Sequence, residues 1–202
     1  MIEISTSVGP ARAFEFGTRG GGCSIVASHG AGGGIDAYDL QALAHAGFHG
    51  YLVEQPWRVA GKKVAARPAV LDTAWVELCA QLPCEPMLVT AGRSAGARVA
   101  CRTAEHVGAS KVIALSFPLH PPGKPERSRR HELSGVEVPV LVLQGERDAF
   151  GTAAEVRAAA GPGVTVVGLP WADHGLHVPK KSGLSESELA QRIALEVRAF
   201  LE

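Results

Sequence analysis

Short apolar runs alternate along this chain with longer stretches in which apolar residues recur every three to four positions, and that alternation predicts strands followed by helices. Residues 2–4 and 11–16 flank the Gly9-Pro10 break and predict a hairpin of two short strands. Cys23–Ser28 predicts a buried strand that runs into His29-Gly30-Ala31-Gly32-Gly33-Gly34. Asp36 is then placed to cap a helix with Leu40, Leu43, Ala44 and Gly47 on one face. Residues 51–53 predict another strand, residues 54–58 a loop, and Leu71, Trp75, Leu78, Cys79 and Leu82 one face of a helix beginning near Pro68. Residues 86–91 predict the next strand, followed by a helix whose Ala95, Ala97, Ala100 and Ala104 let it press close against a sheet.

The same rhythm continues to the end of the chain. Residues 111–117, 139–144 and 164–169 predict strands, and Thr152-Ala153-Ala154-Glu155 offers a capping box for the helix between the last two. Ser185-Glu186-Ser187-Glu188 offers a second box, opening a helix with Leu189, Ile193, Val197 and Phe200 as its core stripe. Repeated strand and helix units imply a mostly parallel, twisted sheet covered by helices on both faces, in a single α/β domain over residues 1–202. Residues 118–135 break the rhythm. They are proline-rich, then basic through Lys124, Arg127, Arg129 and Arg130, and read as a solvated surface loop too short and too polar for a cap domain.

Charge and composition narrow the function. The 20 Lys and Arg residues balance 20 Asp and Glu, so no whole-protein field concentrates nucleic acid or an anionic membrane. The first residues lack the basic and apolar regions of a signal peptide, and no run approaches the roughly 18 apolar residues of a membrane span. Cys23, Cys79, Cys84 and Cys101 show no C-x-x-C spacing and read as buried thiols in a reducing, cytoplasmic setting. His, Cys and Asp do not cluster at ligand spacing, so no metal or other cofactor is expected and the expected partner is a small-molecule substrate.

Candidate chemistry enters at Gly92-Arg93-Ser94-Ala95-Gly96, between a predicted strand and a predicted helix. A serine at the centre of G-x-S-x-G in that context fits a sharp turn that lifts its hydroxyl clear of the sheet edge. Ligands of an open parallel sheet bind beyond the carboxyl ends of its strands. At that edge the sequence delivers His29-Gly30-Ala31, Trp57-Arg58, Ser94, residues 117–120, Gly145-Glu146-Arg147-Asp148 and Asp173-His174. Nucleophile, acid and base occur in that order. Acyl-bond hydrolysis needs a base for the serine proton, a carboxylate to hold the imidazole, and donors for the oxyanion. His174 is the candidate base and Asp148 its acid; His177, Asp173 and Glu146 compete for these roles, and His29 reads as structural.

These residues resemble the α/β-hydrolase superfamily, in its small lidless dienelactone-hydrolase-like branch that also holds the testis-expressed hydrolase-like proteins. The resemblance rests on His29-Gly30-Ala31-Gly32-Gly33, Gly92-Arg93-Ser94-Ala95-Gly96, Gln144-Gly145-Glu146-Arg147-Asp148 and Ala172-Asp173-His174-Gly175, and spans almost the whole chain. It implies an α/β-hydrolase fold without a cap, Ser94 as nucleophile with Asp148 and His174, and the amides of Ala31 and Ala95 as the oxyanion hole. The implied activity is that of a serine esterase on small soluble esters or thioesters. Trp57, Phe117 and Leu119 are candidates for a shallow apolar wall, and Arg58 and His120 for contacts to a polar substrate group.

Two other readings stay open. One is a hydrolase-like scaffold that binds a partner without catalysis. The other is a dinucleotide-binding oxidoreductase, because Gly32-x-Gly34-x-x-Ala37 follows a strand and Glu54 ends the next. Against it, three residues separate strand from fingerprint, and Asp36 would meet a pyrophosphate with like charge.

Overall fold

The computed structural model describes residues 1–202, and a single eight-stranded sheet runs through it. The strands are β1 (Ile2–Thr6), β2 (Gly9–Phe16), β3 (Cys23–Ser28), β4 (His49–Glu54), β5 (Met87–Arg93), β6 (Lys111–Leu115), β7 (Val140–Gly145) and β8 (Val164–Leu169). Their order is β1-β2-β4-β3-β5-β6-β7-β8. The β1–β2 hairpin joins β4 antiparallel, and every pair from β4 to β8 is parallel. The chain leaves β3 toward β4 on one side and returns to β5 on the other, so the order reverses between β3 and β5. Crevices for ligands open at such a switch point, beyond the carboxyl ends of the two strands.

Seven helices cover the sheet: α1 (Tyr38–Ala44), α2 (Pro56–Val59), α3 (Pro68–Cys79), α4 (Ala95–Thr103), α5 (Arg130–Ser134), α6 (Ala153–Ala159) and α7 (Glu186–Leu201). Every residue of β3 and of β7 is buried, as expected of strands covered on both faces. Alternate side chains supply two cores. Ile25, Ala27, Leu141 and Leu143 meet Leu40 and Leu43 of α1 and Ile193 and Val197 of α7. On the other face Val26 and Tyr51 meet Trp75 and Leu78 of α3, while Val112, Val140 and Val142 meet Ala97, Ala100 and Ala104. Both predicted capping boxes form, at Thr152 and at Ser185. No helix is long and apolar enough to cross a membrane, and no cap domain is present.

Several local expectations need correction. Asp36 does not cap α1: Ala37 holds that position without a side-chain bond, and the Asp36 carboxylate turns back toward Gly34. The fourth member of the α7 stripe is Leu201, because the buried positions advance by four from Val197, and Phe200 is only partly buried. β6 stops at Leu115, since Ser116 takes a left-handed φ of 49°. Residues 118–135 are not all loop. α5 anchors them through buried Leu133, and its Glu132 accepts from Arg98 at 2.6 and 2.7 Å and from Arg102 at 3.1 Å. Burial works to raise the Glu132 pKa, but the two guanidiniums outweigh it and hold the carboxyl below the usual range.

Candidate active site

Ser94 sits between β5 and α4 with φ 52° and ψ −108°, a conformation that side-chain-bearing residues rarely adopt. Such strain costs on the order of 1–3 kcal/mol and persists only where the surroundings enforce it. They do so here. The Ser94 N–H donates to the Leu115 carbonyl at 2.9 Å. A Cβ at Gly96 would lie 2.5 Å from the Ser28 carbonyl oxygen, and one at Gly92 would strike the backbone of Gly96, so strand and helix close on each other only with glycine at both positions.

The lifted hydroxyl heads a hydrogen-bonded chain. Ser94 Oγ is 2.9 Å from His174 Nε2, and His174 Nδ1 is 2.8 Å from Asp148 Oδ2. Asp148 is buried in the turn after β7, and its carboxylate is fully engaged: Oδ2 also accepts from Gln144 Nε2 at 2.9 Å, and Oδ1 from the Phe150 N–H at 2.8 Å. This arrangement places the imidazole proton on Nδ1 and leaves Nε2 free to accept from the serine. Phe150 also stacks on His174, with ring centroids 4.1 Å apart and planes 30° from parallel.

The competing residues are engaged elsewhere. Asp173 Oδ1 accepts from the N–H groups of Gly175 (2.8 Å) and His177 (3.0 Å), so it folds the histidine loop rather than facing the imidazole. His177 Nδ1 lies 2.7 Å from exposed Glu186, and Glu146 is exposed. His29 is buried, bonds the Gly30 carbonyl through Nδ1 and accepts from the Gln55 N–H; burial is the main cause of its lowered pKa.

Two main-chain donors border the serine. Ala95 opens α4, so its N–H precedes the intrahelical ladder. The loop after β3 comes close on the other side, a Cβ at Gly30 reaching within 3.1 Å of Ser94 Cβ, and the N–H of Ala31 has no acceptor within the chain. Arg93 ties these parts together, with Nε 3.0 Å from buried Asp39 of α1 and Nη2 donating to the His174 carbonyl at 3.5 Å. Burial pushes the Asp39 carboxyl up and Arg93 opposes that shift. Residues 29–37 separate β3 from α1, so no helix starts directly after the strand as a dinucleotide fingerprint requires.

Of the expected wall, only Arg58 is exposed; it lines a polar cleft of about 480 Å³ with Gly32, Gly33, Asp36 and Arg93, whose walls do not include Ser94 or His174. Trp57 is not in a loop but in α2, buried and edge-on to His29 at 5.3 Å. Phe117 and Leu119 are buried in the core under α4, because the left-handed Ser116 turns the chain inward after β6. His120 is buried with its Nε2 3.7 Å from Glu155. Sequence reasoning missed Phe150, whose only signal is its place two residues after Asp148, and the Arg93–Asp39 pair, which carries no local signal.

Comparison with known proteins sets this geometry in a family. Residues 22–202 match the family described as an alpha/beta hydrolase domain. No curated protein matches the sequence. Among solved structures, an alpha-beta serine hydrolase homologue from Coxiella burnetii superposes with TM-score 0.72 at 17% identity, over 96% of this chain and 95% of that one. A serine hydrolase without lid from Xanthomonas campestris gives TM-score 0.72 at 19% identity over 98% and 93%. A thermophilic esterase from Thermogutta terrifontis gives 0.71 at 17% over 99% and 97%. With all but the first hairpin inside the family match, the chain belongs to the alpha/beta hydrolases.

Proposed function

We propose that this protein is a serine hydrolase that cleaves small soluble carboxylic esters or thioesters through an acyl-enzyme at Ser94. One observation carries the reading: the hydroxyl of a strained turn serine lies 2.9 Å from an imidazole whose other nitrogen is 2.8 Å from a buried carboxylate. Attack of Ser94 Oγ on the carbonyl carbon moves the serine proton to His174 Nε2 and the carbonyl π electrons to oxygen. The amides of Ala31 and Ala95 receive that oxyanion. Its collapse breaks the bond to the leaving group, which takes the proton from His174. Water then repeats the sequence, releasing the acid and restoring Ser94. Asp148 holds the imidazole and stabilises its charged form throughout.

The substrate class follows from the crevice. With no cap over the edge, little apolar surface is available for a long acyl chain, and each methylene left in water forgoes about 0.8 kcal/mol. Arg58, free of any ion pair, is the contact we assign to a polar part of the substrate. The solved structures of similar fold include an esterase, which favours an ester over an amide. We place the reaction in the cytoplasm, where the four free cysteines stay reduced.

The test is intact-mass analysis after a fluorophosphonate probe, with p-nitrophenyl esters assayed in parallel. One adduct per chain, absent from Ser94→Ala, is expected, with kcat/KM highest for acetate to butyrate. A folded chain that takes no adduct and hydrolyses no ester is a binding scaffold, and the proposal fails.

A further inference from the structure

The apolar wall expected at this edge is buried in the core, and one aromatic ring stands in contact with the reacting residues: that of Phe150. Resting on the serine-hydrolase reading, we propose that Phe150 is the positioning residue of the site. Its main chain orients Asp148, its ring orients His174, and the ring stabilises the imidazolium that forms when His174 takes the serine proton.

The turn leaves Phe150 little freedom. Its N–H donates to Asp148 Oδ1 at 2.8 Å, and its carbonyl accepts from the His120 N–H at 3.0 Å. The next residue, Gly151, has φ 130°, returns its N–H to the Asp148 carbonyl at 3.2 Å, and accepts from Gln144 Nε2 at 2.7 Å. Gln144 holds Asp148 Oδ2 with the same nitrogen. With the backbone pinned before and after, the Cα–Cβ bond has a fixed direction, and the rotamer adopted lays the ring on the face of His174.

Chemistry gives that contact a role beyond filling space. His174 has its ring edge fixed by Asp148 and Ser94, but neither bond stops the ring from tilting out of the common plane. A stacked face 4.1 Å away does. Transfer of the serine proton turns the imidazole into a cation lying over the π face of Phe150, an interaction stronger in the charged state than in the neutral one. An interaction gained only as the reaction proceeds raises kcat rather than lowering KM. An aliphatic side chain of similar size keeps the burial and loses this gain.

The experiment compares Phe150→Leu and Phe150→Tyr with the wild type, using p-nitrophenyl acetate for steady-state kinetics and a fluorophosphonate for the rate of Ser94 modification. Phe150→Leu should lose about three- to tenfold in kcat and in modification rate with KM unchanged, and Phe150→Tyr should return both to within about twofold of wild type. Near-ultraviolet circular dichroism reports whether each variant is folded, and Phe150→Met carries the same expectation should the leucine variant not be. The assignment is overturned by a leucine or methionine variant with wild-type kcat, by a loss confined to KM, or by a tyrosine variant as impaired as the aliphatic ones. An active, labelled wild type matched by Phe150→Leu overturns this assignment alone. A wild type that neither turns over nor labels overturns the serine-hydrolase reading with it.

Discussion

The molecule contains two Ser–His–carboxylate chains, at opposite ends of the same sheet. At the carboxyl edge Ser94, His174 and Asp148 are linked at 2.9 and 2.8 Å. At the amino edge Ser24 Oγ lies 2.7 Å from His49 Nδ1, and His49 Nε2 lies 3.0 Å from Glu15. Residue types and spacings are nearly the same, so neither distinguishes a reactive serine from a structural one. What differs is backbone and surroundings. Ser24 is in the ladder of β3, directly opposite His49 of β4, with no strain and no exposure. Its hydroxyl already accepts from the Glu85 N–H at 2.8 Å. Ser94 is lifted out of the ladder by its left-handed turn, beside amides without acceptors. The imidazoles are also used in opposite senses, since His49 meets serine through Nδ1 and His174 through Nε2. The first chain ties strands β2, β4 and β3 together; the second holds its proton acceptor at a crevice.

The largest test of this contrast is activity. Ser94→Ala and His174→Ala should each abolish ester turnover, and Asp148→Asn should lower kcat by about four orders of magnitude, because the wrong imidazole tautomer is then favoured. Ser24→Ala and Glu15→Gln should leave kcat within about threefold of wild type, as should Glu146→Gln and Asp173→Asn. Turnover measured on one activated ester decides the matter, and an inactive Ser24→Ala with an active Ser94→Ala would exchange the two roles.

Stability should rank the chains the other way. Ser24→Ala strands buried His49 Nδ1 and the partly buried Glu85 N–H, and should cost about 1–3 kcal/mol in urea unfolding. Ser94→Ala leaves only His174 Nε2 without its partner, on a side chain partly open to water, and should cost less than Ser24→Ala. Equal losses would mean that the buried amino-edge chain stabilises the fold no more than the partly exposed one at the carboxyl edge.

The smallest effect is a dependence on acid. Hydrogen bonds from His49 and then Arg19 hold the Glu15 carboxyl below its usual range. A carboxylate depressed in the folded state contributes stability above its unfolded pKa and loses it as pH falls through the folded one. The stability difference between wild type and Glu15→Gln should therefore shrink as pH falls below about 5, from the ordinary glutamate range down through the lower folded value. A difference that stays constant as pH falls below about 5 removes Glu15 from the account.

Much of the carboxyl-edge chain was legible because its signals are local. Gly92 and Gly96 announce a turn whatever surrounds them, the Thr152 and Ser185 capping boxes are complete within four residues, and each strand end displays its loop chemistry at a position the strand and helix rhythm already fixes. The preference for Asp148 over Glu146 rested on the family resemblance, because both residues lie in the turn after β7. The rest depended on where side chains point. Phe117 reads as a loop aromatic until Ser116 takes a positive φ and sends it into the core. Trp57 follows a strand, but Pro56 starts a helical turn that lays the indole against His29.

By itself, then, the sequence determined the order of strands and helices, the elbow at Ser94 and the residues offered at the carboxyl edge, because apolar period, capping and turn chemistry act within a few residues along the chain. Tertiary structure alone decided that Arg93 meets Asp39, that Phe150 covers His174, and that Ser24, His49 and Glu15 form a chain across three strands. Those contacts join residues far apart in sequence. They exist only once strand register and the hand of single residues such as Ser94 and Ser116 have been set by closure of the whole sheet.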